Sequence, residues 1–514
     1  MFSKVKSCAV HGVDGRMIDV EADVNDGLPV FTMVGYLSSS VRESSERVRT
    51  ALKNSGFHLP PKRITINLSP ADMRKDGSGY DLAIATAVLL SLGVTAELPM
   101  EQTLVLGELS LDGSIKAIPG VLPMVICARE EGMTSCIVPK ENVQEAALVQ
   151  GISVIGVSSL KETMEYIQGI KEYENTNVEQ PAVDTSEYLY DIDFSDVVGQ
   201  ESIKRGMEIA AAGFHNVLLN GAAGAGKSML AKRLPTILPQ MSFEESLEVT
   251  KIYSVGGMLP PEGGLIHRRP FRAPHHTISE YALIGGGRVP TPGEVSFAHY
   301  GVLFLDELPE FSKPVLEVLR QPLEDRRIRI SRVQASYEFP ADFMFVAAMN
   351  PCPCGNYPDY RRCSCTEQQI RRYQSKVSGP LLDRIDIRME VKGVKQEVLF
   401  SKQKTESSKT IRARVEQARQ MQKERFARTG LLFNSQLDGK NLEEYITLSE
   451  EGKRLVLQLF EEQELSVRGV HRVLKLARTI ADLAGSEEIE HAHLQEAAFY
   501  RNQDVFAKEV LYGN

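Results

Sequence analysis

No apolar run in this chain is long enough to cross a bilayer, and Met1-Phe-Ser-Lys-Val-Lys-Ser-Cys8 lacks the apolar core of a secretion signal. The expectation is a cytoplasmic chain without a membrane partner. Short-period repeats are missing, which removes solenoids and propellers. A net positive charge is also missing. At −9 the chain is no general trap for polyanions, so any nucleic-acid contact must come from a local basic patch. Cysteines number seven in 514 residues, and a disulfide framework is not expected in a cytosolic protein. Cys8, Cys127 and Cys136 are scattered and read as packed thiols, while the other four cluster.

What is present is ordinary globular material, 42% hydrophobic and 25% charged, with length for about three domains. Residues 1–168 alternate short β-branched runs such as Arg63-Ile-Thr-Ile-Asn-Leu68 with helical stretches such as Asp81 to Leu90. The acidic, proline-containing stretch within 169–190 reads as a linker. Over 191–396 strands alternate with helices in the manner of a parallel α/β sheet, and 397–514 turns helical. The fold class is α/β.

Gly221-Ala-Ala-Gly224-Ala-Gly226-Lys227-Ser228 is the most informative stretch. It has the spacing G-x-x-x-x-G-K-[ST], with an apolar strand, Val217-Leu-Leu219, before it and a helix, from Met229, after it. Glycines let the backbone turn its N–H groups inward as a nest for phosphate oxygens. Lys227 can reach the β- and γ-phosphates and Ser228 can offer a hydroxyl to Mg²⁺. About eighty residues on, Gly301-Val-Leu-Phe-Leu-Asp306-Glu307 is an apolar strand that ends in two carboxylates. Asp306 suits Mg²⁺ coordination, and Glu307 is placed to polarise an attacking water. A third strand, Phe343 to Met349, ends in Asn350, whose amide can hold that water or sense the γ-phosphate. Ser378-Gly-Pro-Leu-Leu-Asp383-Arg384 places an arginine after the core, and Leu465-Ser-Val-Arg468-Gly-Val-His-Arg472 opens a late helix.

Together these motifs resemble an AAA+ ATPase. The resemblance implies that Phe194-Ser-Asp-Val197-Val-Gly199-Gln200 packs on adenine, that Asn350 is sensor 1, and that Arg384 is an arginine finger acting on a neighbour. Arg468 would be sensor 2, with Arg472 a second choice. A finger from the neighbouring subunit makes the active unit a ring, expected to be a hexamer.

Between the two carboxylate and phosphate motifs stand Arg269-Pro-Phe-Arg272-Ala-Pro-His275-His276-Thr277, Ala282-Leu-Ile-Gly-Gly-Gly287 and Pro292-Gly-Glu294. These are similar to the magnesium-chelatase-like AAA+ ATPases, and nearly the whole chain resembles their competence-M, or YifB, branch. The resemblance implies a helix-2 insert over about 253–290 and a pre-sensor-1 hairpin over 328–340, both facing a central pore and touching DNA. Arg268, Arg269, Arg272 and Arg288 in one, and Arg329 and Arg332 in the other, would reach phosphates without choosing sequence. His275 and His276 lack a third ligand at suitable spacing for a metal.

Lys75-Asp-Gly-Ser78-Gly79-Tyr-Asp81 and Gly107 to Val121 resemble Lon-type protease domains, of the two-layer ribosomal S5 domain 2-like fold. Lon-type enzymes use a Ser–Lys dyad. Here the serine position falls on Gly79 and the lysine position on Leu122; Ser78 is one place early and Lys116 several. The domain reads as a non-catalytic scaffold, with residual proteolysis by Ser78 as the sharp alternative. Cys352-Pro-Cys354 and Cys363-Ser-Cys365 suit a structural tetrahedral Zn²⁺, although C-x-C is tighter than the usual C-x₂-C. The expected cofactors are thus ATP, Mg²⁺ and Zn²⁺. The expected activity is a ring ATPase that moves on single-stranded or branched DNA, a helicase or branch-migration motor of recombination in natural transformation. The alternative is a chelatase-like motor acting on a protein or metal-insertion partner.

Overall fold

A computed structural model describes residues 1–171, 190–260, 264–332, 335–393, 405–462 and 466–502. Most of the 169–190 stretch read as a linker, the junction at 396 and 397, and residues 333–334 of the hairpin lie outside the described residues.

The N-terminal unit is a seven-stranded mixed sheet in the order Val30–Val34, Arg63–Ser69, Asp14–Asn25, Phe2–His11, Thr103–Val105, Ser135–Pro139, Ser153–Val157. Alternation along each strand sends side chains to two faces. Ile137 joins the core beneath the helices Ser39–Asn54, Asp81–Ser91 and Leu160–Ile167, whereas Cys136 and Val138 join the core beneath Val121–Glu130. Asp81–Ser91 is apolar nearly all round and is buried over most of its circumference, as such a composition requires.

The second sheet is parallel, in the order Phe271–Arg272, Val302–Leu305, Met344–Met349, Val217–Gly221, Ile387–Val391. Its inner strands are continuous apolar runs because both faces are covered. Val217 and Leu219 point into one core and Leu218 into the other; Val302 and Phe304 oppose Leu303 and Leu305 in the same way. The edge strand Phe271–Arg272 corrects the sequence reading. The 253–290 stretch, expected to be an insert, contains a strand of the core sheet, too short to show any period. The hairpin is present, Arg327–Ser331 paired antiparallel with Ser336–Pro340.

The C-terminal helices Ser408–Phe426, Val467–Leu483 and His491–Asn502 share one core with the helix Glu201–Gly213. Phe433 stacks on Phe214 at 4.3 Å, and Tyr500 Oη donates to the Ser202 carbonyl at 2.8 Å.

The N-terminal sheet sits on the helix Phe243–Val255 and on the hairpin. Gly120 N–H donates to the Ser254 carbonyl at 2.9 Å, Lys251 pairs with Asp14 at 2.8 Å, and the His11 ring stacks on Tyr337 at 4.5 Å. Glu145 is buried in this junction, which raises its pKa. It accepts from the Leu122 N–H at 2.8 Å and from Ser254 Oγ.

Candidate functional site

Strand order reverses beside Val217–Gly221, and in open α/β sheets ligands bind beyond the carboxyl ends of strands at such a point. The strands Val217–Gly221, Val302–Leu305 and Met344–Met349 bring the glycine loop, Asp306-Glu307 and Asn350 to one edge. Gly224 and Gly226 have φ of +78° and +92°, the left-handed region that side chains disfavour. A Cβ on Gly221 would lie 2.2 Å from the Val391 carbonyl oxygen, so the neighbouring strand also demands glycine there.

Lys227 Nζ donates to the carbonyls of Gly221 and Ala222 at 2.6 and 2.9 Å and to Asn350 Oδ1 at 3.0 Å. Burial lowers the Lys227 pKa, opposed by the charges of Asp306 and Glu307. Ser228 Oγ donates to Asp306 Oδ2 at 2.5 Å, so the two hard oxygen donors that would hold a magnesium ion already meet. Glu307 adopts φ +53° and its N–H donates to Asp306 Oδ1 at 2.9 Å. His276 Nδ1 lies 3.9 Å from Glu307 Oε2. The donor set fits a magnesium nucleotide: cationic lysine, hydroxyl plus carboxylate, and a glycine turn that is left-handed at Gly224 and Gly226.

Val197 is buried with Phe194 in the core behind this edge. Sequence reading missed what holds that segment. Arg233, on the helix that follows the glycine loop, donates to the Asp193 carbonyl at 2.7 Å and pairs with Asp196 at 2.8 Å.

Arg384 and Arg468 are not at this edge. They line a cavity of about 310 Å³ with Asn216, Asp342, Asp386 and Arg472, residues that precede the strands or approach them from the C-terminal helices. That is the amino end of the sheet, about 17 Å of strand from the glycine loop. Arg384 is buried, donates to the Pro380 carbonyl at 2.7 Å and pairs with Glu324, while its Nε lacks a hydrogen-bond partner among the described residues. Arg468 is exposed and lies 3.9 Å from the same Glu324 carboxylate. Glu324 was not legible in the sequence, where it stands in an unremarkable acidic turn. Burial alone would raise the Asp386 carboxyl, but Arg472 and His215 hold it well below the ordinary range. Arg472 is thereby committed to an internal ion pair.

The arginines assigned to DNA divide. Arg269 is a correction, because its side chain is 3% exposed, paired with Glu245 at 3.2 Å and bonded to the Pro239 and Tyr300 carbonyls. Arg272 is a second, held in a two-pronged pair with Glu294 at 2.6 Å for both bonds. Sequence shows a run of similar arginines and cannot show which fold inward. Arg269→Ala should cost about 3–5 kcal/mol, because Glu245 is left buried without its partner. Urea unfolding checks this, and DNA affinity per folded molecule should not change. Arg268, Arg288, Arg329 and Arg332 are on the surface; Arg268 stacks over Tyr190, Arg329 pairs with Glu338, and Arg332 donates to the Gly287 carbonyl.

In the N-terminal unit Ser78 Oγ donates to the Glu108 carboxylate. Leu122, at the position of the Lon lysine, is fully buried, and Lys116 is exposed. Among the described residues the group of three or more ligating side chains is Cys352, Cys354, Cys363 and Cys365, and His275 and His276 are not part of such a group. No helix among the described residues is long and apolar enough to cross a membrane.

The magnesium chelatase subunit ChlI family matches residues 193–399, a second ChlI profile matches 20–142, and the ChlI C-terminal profile matches 405–501. The chain is 41% identical to YifB of Escherichia coli over 98% of its own length and 97% of that protein. It is 40% identical to the competence protein ComM of Haemophilus influenzae over 97% of both chains. A shorter likeness, 30% identity over 32% of each chain, links it to Lon protease 2 of Bacillus subtilis. With a glycine loop, paired carboxylates and strand-tip asparagine on one edge of a parallel sheet, the chain belongs to the magnesium-chelatase-like AAA+ ATPases, in the family of YifB and ComM.

Proposed function

We propose that this ATPase works as a ring, most simply a hexamer, that couples ATP hydrolysis to remodelling of DNA. The observation that carries the ring is the separation of the two halves of the site. Lys227, Ser228, Asp306, Glu307 and Asn350 gather at the carboxyl edge of the sheet, and Arg384 and Arg468 at the amino edge. A head-to-tail ring would bring one chain's arginines to the next chain's phosphates. There Lys227 would bind the β- and γ-phosphates, Ser228 and Asp306 would hold Mg²⁺, and Glu307 would take the proton of the attacking water. Magnesium would neutralise charge on the phosphate oxygens. Val197 and Phe194 would support the adenine pocket. The four-cysteine cage supplies no reacting group to this chemistry and is read as a structural zinc site.

For DNA, support comes from the surface arginines. Arg16, Arg288 and Arg332 line one pocket with His11 and Tyr337, between the N-terminal sheet and the hairpin; Arg74 there pairs with Asp76 at 2.9 Å, and Asp72 lines the same pocket. Cations beside stacked rings suit a single strand, with phosphates on the arginines and bases on the rings. The name of the ComM relative supports a place in competence, and the DNA remodelling proposed for this chain is branch migration on recombination intermediates during natural transformation. Single-stranded or branched DNA should raise the ATPase rate of the purified protein, and Arg329→Ala/Arg332→Ala should weaken DNA binding uniformly across sequences and lower its salt dependence by about two counterions. An ATPase rate indifferent to DNA, with no strand displacement, would favour a motor acting on a protein or metal-insertion partner.

A further inference from the structure

The four clustered cysteines are free thiols that lie directly against the nucleotide edge. Cys352 is fully buried and forms, with Tyr357 and Ile370, a small core separate from the larger ones. Its Sγ lies 3.4 Å from that of Cys354 and 3.7 Å from that of Cys363, Cys354 and Cys363 are 3.6 Å apart, and all four sulfurs fall within 4.8 Å of one another. A disulfide would need about 2.05 Å. Four thiolates at about 2.3 Å from a tetrahedral zinc stand about 3.8 Å from each other, which is close to the spacing present. The Tyr357 N–H donates to Cys352 Sγ at 3.4 Å, the outer-shell bond that orients a thiolate ligand.

The cage is tied to the phosphate site at two points. Asn350, two residues before Cys352, accepts from Lys227 Nζ at 3.0 Å. Gly355, inside the cage loop at φ +79°, faces the glycine loop; a Cβ there would lie 3.4 Å from the Ala223 backbone nitrogen and 3.5 Å from its Cβ. Gln374 Nε2 anchors the same loop through the Pro351 carbonyl at 2.9 Å.

We propose that Cys352, Cys354, Cys363 and Cys365 bind one Zn²⁺ and that this metal is a strut of the phosphate loop. Four protein ligands leave zinc no open position, so its role is to hold the turn. Held, the turn keeps Asn350 on Lys227 and Gly355 against Ala223, and metal loading thereby sets nucleotide affinity. The inference rests on the phosphate-binding reading of Gly221 to Ser228.

The test is metal analysis of the purified full-length protein beside binding of a fluorescent ATP analogue. One zinc per chain is expected. Cys352→Ser/Cys365→Ser should lose it and bind nucleotide about tenfold or more weakly, the worth of one charge-assisted hydrogen bond. Should that variant not fold, the wild-type chain stripped by a chelator gives the same reading, with affinity falling and returning on zinc but not on magnesium. Gly355→Val keeps the four thiols, so it should retain zinc yet bind nucleotide weakly. Wild-type protein that binds nucleotide but carries no zinc overturns the metal site. Zinc present, with affinity unchanged on stripping, overturns the strut. A zinc-loaded wild-type chain that binds no nucleotide instead removes the phosphate reading on which the strut depends.

Discussion

Arg384→Ala protein is expected to assemble and bind ATP normally and to hydrolyse it about 10³-fold or more slowly, the usual loss when the cation facing the transferred phosphoryl is removed. Lys227→Ala is expected to fail earlier, at nucleotide binding. The decisive measurement mixes the two. Each chain carries its lysine at the carboxyl edge of the sheet and Arg384 at the amino edge. An interface built from the phosphate loop of an Arg384→Ala chain and the arginine of a Lys227→Ala chain would be complete. In rings formed from equal amounts, about a quarter of interfaces are of this kind, so the mixture should regain ATPase activity that neither parent has. Mixed rings that form and stay inactive would show that both groups serve a site within one chain. Arg468 shares the Glu324 carboxylate with Arg384, so it should follow the same rule in mixing experiments.

Glu307→Gln should bind ATP as tightly as the wild type and turn it over about 10²–10⁴-fold more slowly. The amide keeps the shape of the carboxylate but cannot accept the water proton. The left-handed backbone at Glu307 and its N–H bond to Asp306 fix where that side chain begins, and both survive the substitution. Magnesium binding through Ser228 and Asp306 should survive as well. Single-turnover kinetics with unchanged nucleotide affinity, together with rings that stay on DNA in ATP, would establish the role; an unaltered rate would remove it.

Much of this edge was legible in the sequence because each part leaves a local mark. Continuous apolar runs give away strands buried on both faces, and Gly221 to Ser228 must be spaced as it is for backbone to wrap phosphate. Other parts leave no such mark. Phe271–Arg272 is a strand only because Val302-Leu303 lies beside it. Arg269 and Arg268 are adjacent and alike, yet one is buried on Glu245 and the other is exposed over Tyr190. Glu324, Gly355 and Arg233 matter through residues distant in the chain, Arg384, Ala223 and Asp193, and no spacing rule reports a contact made by tertiary packing.

The length of the central strand has a further consequence. With phosphate loop and arginines at opposite ends of one stiff sheet, each chain would act as a rod about 17 Å long, gripping one neighbour at each tip. A rigid-body tilt of about 10° at one tip displaces the other by about 3 Å, the whole span of a hydrogen bond. Hydrolysis in such a ring would then depend on how far neighbouring subunits tilt against one another.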